Sequence, residues 1–176
     1  MTGNWKEAED RVVKLPEDKP SLFSTYVHHL YTGELAVNLD DVNKGEVGTR
    51  VMCQYEDLCA LYVLAEKLQD IQTKNAIIQT ILDIRHTIQS NNRYLIPNGE
   101  AIRIIYDGTT AGSLARKLLV DFWAYRGKGL WLRDYELPAD FLRDLVIKLM
   151  DTRPVIAGMT KDTSSTYMED VAEEKA

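Results

Sequence analysis

Residues 58–65 read Leu58-Cys59-Ala60-Leu61-Tyr62-Val63-Leu64-Ala65, a run of eight residues without a charge. The run is too short to cross a bilayer, which requires about 18–20 apolar residues. It lies within a stretch that predicts a helix beginning near Tyr55. Because a helix that is apolar on nearly all sides must be covered on most of its surface, the fold must place other elements around this one.

Helical spacing of apolar residues predicts further helices on both sides of this run. Before it, Leu22, Phe23, Tyr26, Val27, Leu30 and Tyr31 follow at i, i+1, i+4, i+5, i+8 and i+9, and Gly33 ends that helix. After it, the pattern predicts a helix from about 71 to 90, a short one around 101–108, one that follows Ser113 and ends at 126–129, and a last one from about Pro138 to Arg153. These patterns indicate a mainly α protein.

Strand signals are few. The segment 11–15 (RVVKL), closed by Pro16, predicts a short strand, and 51–54 predicts a second fragment of strand within an irregular stretch over 34–54. One or two short strands do not make a stable sheet, because their backbone N–H and C=O groups lack partners. Together with the cover that the 58–65 helix needs, this predicts that a block with more strands and another helix or two is absent from the chain.

Composition narrows the class of protein. The 176 residues include 21 Lys and Arg and 27 Asp and Glu, so the net charge of −6 argues against nucleic-acid binding. Two cysteines give no disulfide framework, and the charged N-terminus has no signal-peptide core. We therefore expect a soluble intracellular protein with no membrane partner, with nucleus and cytoplasm both open. Residues 160–176 are acidic and rich in Ser and Thr, which predicts a disordered tail.

No residue pattern indicates chemistry. His28 and His29 are adjacent and point about 100° apart on a helix, so they cannot chelate one ion together. Cys53 and Cys59 match no zinc-ligand spacing, and Cys59 suits a small buried apolar side chain. The loop 108–113 (GTTAGS) lacks the Lys of a P-loop and predicts an ordinary turn between helices. We expect no enzyme activity, no metal and no cofactor.

Three segments carry a resemblance to a known family. Residues 4–35 (NWKEAEDRVVKLPEDKPSLFSTYVHHLYTGEL), 61–70 (LYVLAEKLQD) and 104–123 (IIYDGTTAGSLARKLLVDFW) resemble BTB/POZ proteins of the divergent type found in filamentous fungi. The resemblance implies an α+β remnant, namely the C-terminal half of a BTB/POZ-like domain over 1–90 with a helical core and one or two short strands. A helical extension over 91–153 and the acidic tail over 154–176 would follow.

The chain also departs from the family pattern. A complete BTB/POZ domain begins with a hairpin, a helix, another strand and a further helix, and these elements should precede Trp5. On this reading Met1 is an internal methionine or a mispredicted start. Homodimerisation in the family uses the missing elements, so the resemblance does not extend homodimerisation to this chain. The alternative interpretation is a truncated or degenerate gene product without independent function.

The function that the resemblance implies is protein–protein interaction. BTB adaptors meet cullin scaffolds of ubiquitin ligases through the helix here placed at 19–31, the loop after it and the helix that begins near Tyr55. The candidate partner-binding residues on that side are Tyr26, His29, Tyr31, Leu35 and Tyr55. The alternatives are a scaffold that acts outside ubiquitin ligases, and tyrosines that face the core and bind no partner.

Overall fold

The computed structural model describes residues 19–35, 47–90, 95–134 and 136–153, and these ranges contain helices and loops but no strand. Within these ranges lie seven helices, α1 (Pro20–Thr32), α2 (Val47–Lys67), α3 (Ile71–Ser90), α4 (Gly99–Gly108), α5 (Leu114–Arg126), α6 (Trp131–Asp134) and α7 (Ala139–Thr152). The prediction of a mainly α protein is therefore confirmed. The strand predicted over 11–15 and the tail predicted from 160 onward lie outside the described residues.

Helix α2 is the centre of the fold. Leu58, Leu61 and Leu64 are buried, and α1, α3 and α4 all pack against α2. Glu56 accepts a hydrogen bond from Asn98 at 2.7 Å, which fixes the start of α4 beside α2. The sequence predicted that a missing block would have to cover the 58–65 run, whereas helices of this chain supply that cover.

The expectation of a strand fragment at 51–54 is wrong, because these residues belong to α2. Val51 is β-branched and reads locally as a strand residue, but in α2 it shares a face with Tyr55 and Leu58. All three are buried, Val51 at 1% exposed and Tyr55 at 0%. Burial against the neighbouring helices therefore overrides the local β preference, and the helix begins at Val47 rather than near Tyr55.

Helices α4, α5 and α7 meet around one aromatic side chain. Phe141 of α7 is fully buried and packs edge-on against Tyr106 of α4 at 5.5 Å and Trp123 of α5 at 5.7 Å between ring centroids. The Trp123 indole donates a hydrogen bond to the Pro97 carbonyl at 3.0 Å. The segment predicted as an extension thus shares one hydrophobic core with the helices before it.

The short helix α6 is absent from the sequence-based prediction. Trp131 at its start packs edge-on against Trp123, with ring centroids 6.2 Å apart. Four residues give too short a window for helical periodicity to show in the sequence. None of the described helices combines the length and the apolar character that a membrane span requires.

Candidate interaction surface

Helix α1 is fixed to the rest of the fold by Tyr26, whose side chain is buried. Its hydroxyl donates to Asp70 Oδ2 at 3.0 Å, immediately before α3. Asp70 also accepts from the Thr73 hydroxyl at 2.6 Å and from the Thr73 backbone N–H at 3.0 Å, so it caps α3. This cluster joins α1, which packs on α2, to the residue that begins α3.

The protonation equilibria of this cluster follow from the same contacts. The Thr73 hydroxyl and backbone N–H stabilise the carboxylate form, and they hold the pKa of Asp70 below its ordinary value. Burial, together with the neighbouring Asp70 carboxylate, raises the pKa of Tyr26. Tyr26 is therefore a neutral donor and Asp70 a charged acceptor at neutral pH.

One side of α1 carries an exposed apolar stripe, which we call the α1 stripe: Phe23, Val27, Leu30 and Tyr31. Their spacing of i, i+4, i+7 and i+8 places them on one helix face. The exposed fractions are 43% for Phe23, 55% for Leu30 and 88% for Tyr31, and Val27 is half-buried against the core. The α1 stripe therefore offers one aliphatic and two aromatic side chains to solvent beside the Tyr26 anchor.

The other side of α1 forms a groove with α2. The groove holds about 190 Å³ and is lined by Ser21, Leu22, Thr25, Leu35, Gln54, Asp57, Leu58 and Leu61. Four of these residues are leucines, and the other four bring hydroxyl, amide and carboxylate groups to the lining. A space of this size suits one or two side chains of a partner rather than a cofactor, since cofactor sites occupy about 300–1,000 Å³.

The five predicted partner-binding residues occupy three different environments. Tyr31 is almost fully exposed, His29 and Leu35 are half-buried, and Tyr26 and Tyr55 are in the core. Burial raises the pKa of Tyr55, and its hydroxyl makes no hydrogen bond to any described group. Tyr26 and Tyr55 cannot touch a partner in this conformation, so they form the base of the surface and not its contact face.

The sequence reasoning missed Phe23 and Leu30 as surface residues, because both belong to the stripe that it assigned to one helix face. The width of the apolar face in the sequence could have shown that part of it stays exposed. Apolar positions at i, i+1, i+4 and i+5 cover a wider arc than a narrow two-position seam. In the structure, packing of α1 against α2 and the contact with Asp70 cover Tyr26 and leave Leu30 open.

Cys59 and the turn over 108–113, which the sequence analysis weighed for chemistry, both have structural roles. Burial raises the pKa of the Cys59 thiol to about 12, so the thiol stays protonated and unreactive at neutral pH. Arg116 of α5 reaches back to the 108–113 turn, where it donates to Thr109 Oγ1 at 3.0 Å and, just before the turn, to the Tyr106 carbonyl at 2.7 Å. Ser113 occupies the N-cap position of α5, but its hydroxyl makes no capping hydrogen bond. Across the described part of the chain, no three His, Cys, Asp or Glu side chains gather as a metal site would require.

No family model, curated protein or solved structure matches the chain. The resemblance to BTB/POZ proteins therefore stays a prediction that rests on the quoted segments.

Proposed function

We propose that this chain is a protein-binding module with a BTB/POZ-like core, and that it acts as a substrate adaptor for a cullin-based ubiquitin ligase. The observation that supports the proposal is the α1 stripe. Exposed apolar residues that adjoin one another, with aromatic side chains among them, are typical of protein interfaces. Tyr31 at 88% exposed contributes nothing to the core, so its large apolar surface is free for a partner.

The location of the stripe supports the same proposal. The resemblance assigns the cullin contact to α1, the loop after it and α2, and the stripe and the groove lie on either side of α1. The Tyr26–Asp70 hydrogen bond fixes α1, so a partner would meet a preorganised surface. Preorganisation reduces the entropic cost of binding.

The test is binding of the purified chain to a purified cullin scaffold by isothermal titration calorimetry. We expect binding, with affinity reduced at least tenfold in Leu30→Asp and in Tyr31→Ala, because truncation of a central anchor costs about 1–2 kcal/mol or more. The matched control is Tyr125→Ala on α5, which removes a tyrosine that is 67% exposed on another helix. Absence of binding by the unmodified chain contradicts the adaptor role, and equal losses in all three variants contradict the assignment to α1.

The alternative, a degenerate product without independent function, makes a different prediction about the core. The buried cluster extends from Tyr26 to Leu145 and supports a chain that folds by itself. We therefore expect a cooperative thermal transition and weak binding of a dye that reports exposed apolar surface. Strong dye binding without a cooperative transition would favour the degenerate product.

A further inference from the structure

A cavity separate from the α1–α2 groove lies between α3, α5 and α7, and we call it the Arg85 cavity. It has a volume of about 290 Å³, and its lining includes Arg85 of α3 together with Leu118, Phe122 and Tyr125 of α5. The guanidinium of Arg85 lies 5.1 Å from the ring centroid of Phe122 and 5.6 Å from that of Tyr125. Two aromatic rings therefore hold the one arginine of this lining in place.

The hydrogen-bond donors of Arg85 are not used by the fold. The residue is half-buried, and within the part of the chain that the structure describes no oxygen accepts a hydrogen bond from it. The charge of Arg85 acts on the buried Tyr55 hydroxyl, but that hydroxyl makes no hydrogen bond either. Aromatic rings stabilise a cation without accepting a conventional hydrogen bond from it. Because donors withdrawn from water are nearly always paired, the free donors of this guanidinium favour an anion that comes from outside the fold.

The charge of the cavity matches a single negative charge. Asp121 and Lys148 also line it, and they neutralise each other in an ion pair at 2.7 Å. Arg85 leaves one positive charge without a counterion, in a chain whose net charge is −6. A carboxylate carries one charge and offers two oxygens to the fork of N–H donors on a guanidinium. A phosphate group carries about −1.5 to −2 at neutral pH, so it would place uncompensated charge beside Asp121.

The rest of the lining indicates what carries the carboxylate. Leu118, Phe122 and the ring of Tyr125 add apolar surface next to the guanidinium. Tyr125 is 67% exposed, and the side chains of Asp121 and Lys148 are 41% and 39% exposed, so the cavity is open to solvent. Small-molecule sites enclose most of their ligand and occupy about 300–1,000 Å³. An open cavity at the lower end of that range suits a protein segment that lays one or two side chains over it.

We propose that the Arg85 cavity binds an acidic peptide segment of a partner protein. In that complex a Glu or Asp side chain meets the Arg85 guanidinium, and a neighbouring apolar side chain covers Leu118 and Tyr125. Phe122 and Tyr125 hold the guanidinium before the partner arrives, which reduces the entropy lost on binding. For the proposed adaptor, the cavity supplies a place to bind a recruited protein apart from the cullin contact, because neither α1 nor α2 lines it.

The first experiment is an NMR titration of the full, ¹⁵N-labelled chain with the synthetic peptide acetyl-Ala-Leu-Glu-Leu-Ala-amide. The matched probe carries Gln in place of Glu. We expect saturable shifts in the backbone signals of 118–125 and in the Arg85 Nε–H signal, with a dissociation constant on the order of 1 mM or below. The Gln peptide should bind at least tenfold more weakly, because it lacks the charge-assisted hydrogen bonds. Failure of the Glu peptide to bind, or equal affinity for the two peptides, overturns the proposal.

Variants of the chain then locate the contact. Arg85→Gln should weaken binding of the Glu peptide at least tenfold, and Arg85→Lys should weaken it less, because Lys keeps the charge and loses the fork. The matched control is Lys117→Gln, which removes an exposed positive charge elsewhere on α5 and should leave the affinity unchanged. Equal losses in Arg85→Gln and Lys117→Gln overturn the proposal. Thermal unfolding checks that each variant folds, and the comparison of the two peptides needs no substitution in the chain.

Further probes separate this site from the cullin contact and from other sources of the anion. Leu30→Asp, which disrupts the α1 stripe, should leave peptide binding unchanged, so failure of the cullin proposal leaves this result standing. Hexanoate and inorganic phosphate should each bind more weakly than the Glu peptide, and equal or tighter binding of either overturns the assignment to a peptide. The chain's own C-terminus is tested with Glu169→Gln and Asp170→Asn together. A shift of the Arg85 Nε–H signal in that double variant without peptide would show an internal ligand and overturn the proposal.

Discussion

Two buried tyrosines allow the same chemical change to be compared in opposite environments. The Tyr55 side chain is fully buried, and its hydroxyl has no partner among the described residues. The Tyr106 side chain is 7% exposed, and its hydroxyl donates to Asp144 at 2.9 Å. Replacing each tyrosine with phenylalanine removes one oxygen atom and little else. The change in unfolding free energy of each variant therefore measures the contribution of its hydroxyl group, one without a partner and one hydrogen-bonded.

The magnitudes follow from these contacts. A buried hydroxyl without a hydrogen bond costs about 1–3 kcal/mol, and the small void left by its removal offsets part of the gain. We expect Tyr55→Phe to raise the free energy of unfolding by about 1 kcal/mol. We expect Tyr106→Phe to lower it by about 1–2 kcal/mol, because a half-buried carboxylate loses a neutral donor. The two variants should therefore differ by about 2–3 kcal/mol.

The residues around Tyr55 support the expected increase in unfolding free energy for Tyr55→Phe. The positive charge of Arg85 acts to lower the pKa of Tyr55, but its guanidinium lies over the rings of Phe122 and Tyr125, at 5.1 and 5.6 Å from the ring centroids. The charge of Arg85 offsets only part of the effect of burial, which raises the pKa of Tyr55. The hydroxyl thus stays neutral and unsatisfied, and an apolar ring suits the site better.

The assay is urea unfolding of both variants at neutral pH, followed by circular dichroism at 222 nm. The reasoning is refuted if Tyr55→Phe is destabilised as strongly as Tyr106→Phe, because the Tyr55 hydroxyl would then have a stabilising partner. Equal slopes of the unfolding free energy against urea for all three proteins are the control, since a changed slope would indicate a changed unfolded or native ensemble.

Two further predictions concern the packing of α4 and the cap of α3. A Cβ atom at Gly108 would lie 2.4 and 2.5 Å from the two Val63 methyl carbons and 3.0 Å from the Val63 Cβ, so rotation of the Val63 side chain cannot relieve the clash. We expect Gly108→Ala to lower the free energy of unfolding in urea by about 1–2 kcal/mol. Gly129→Ala is the control and should leave the free energy of unfolding unchanged, because the space around Gly129 is open. For Asp70, the folded pKa lies below the ordinary value of 3.8, so its stabilisation is complete above that pH and is lost as the pH falls through the folded value. Asp70→Ala should therefore cost about 1–2 kcal/mol at pH 7 and progressively less below pH 4 in the same assay, and a cost that does not depend on pH would contradict the role of the carboxylate.

The amino-acid sequence determined the long and strongly periodic helices, because their signals are local. Apolar spacing, Pro20 at the start of α1 and Gly33 at its end are all read within a few residues. Gly33 adopts the left-handed conformation at φ 73° that a helix-ending glycine favours. Helix type and approximate boundaries follow from such signals wherever a segment is long and strongly periodic, as in α1, α5 and α7.

Tertiary packing decided which apolar residues are covered. In α1, Tyr26 and Tyr31 belong to the same sequence pattern, yet one is 7% exposed and the other 88%. In α7, Phe141 is buried and its neighbour Leu142 is 37% exposed. An apolar pattern indicates that a helix face can be buried. The positions of helices distant in the sequence determine whether that face is buried in the fold.

Packing between helices distant in the sequence also explains two wrong expectations, the strand at 51–54 and the missing cover of the 58–65 run. A β-branched residue such as Val51 has only a weak local preference, and burial against helices that follow later in the chain outweighs it. The cover of α2 likewise comes from α4, more than thirty residues further along. Local sequence determines an element where its signal is strong, whereas burial is a property of pairs of elements. Only the folded chain brings those pairs together, and burial then also decides segments such as 51–54, whose local preference is weak.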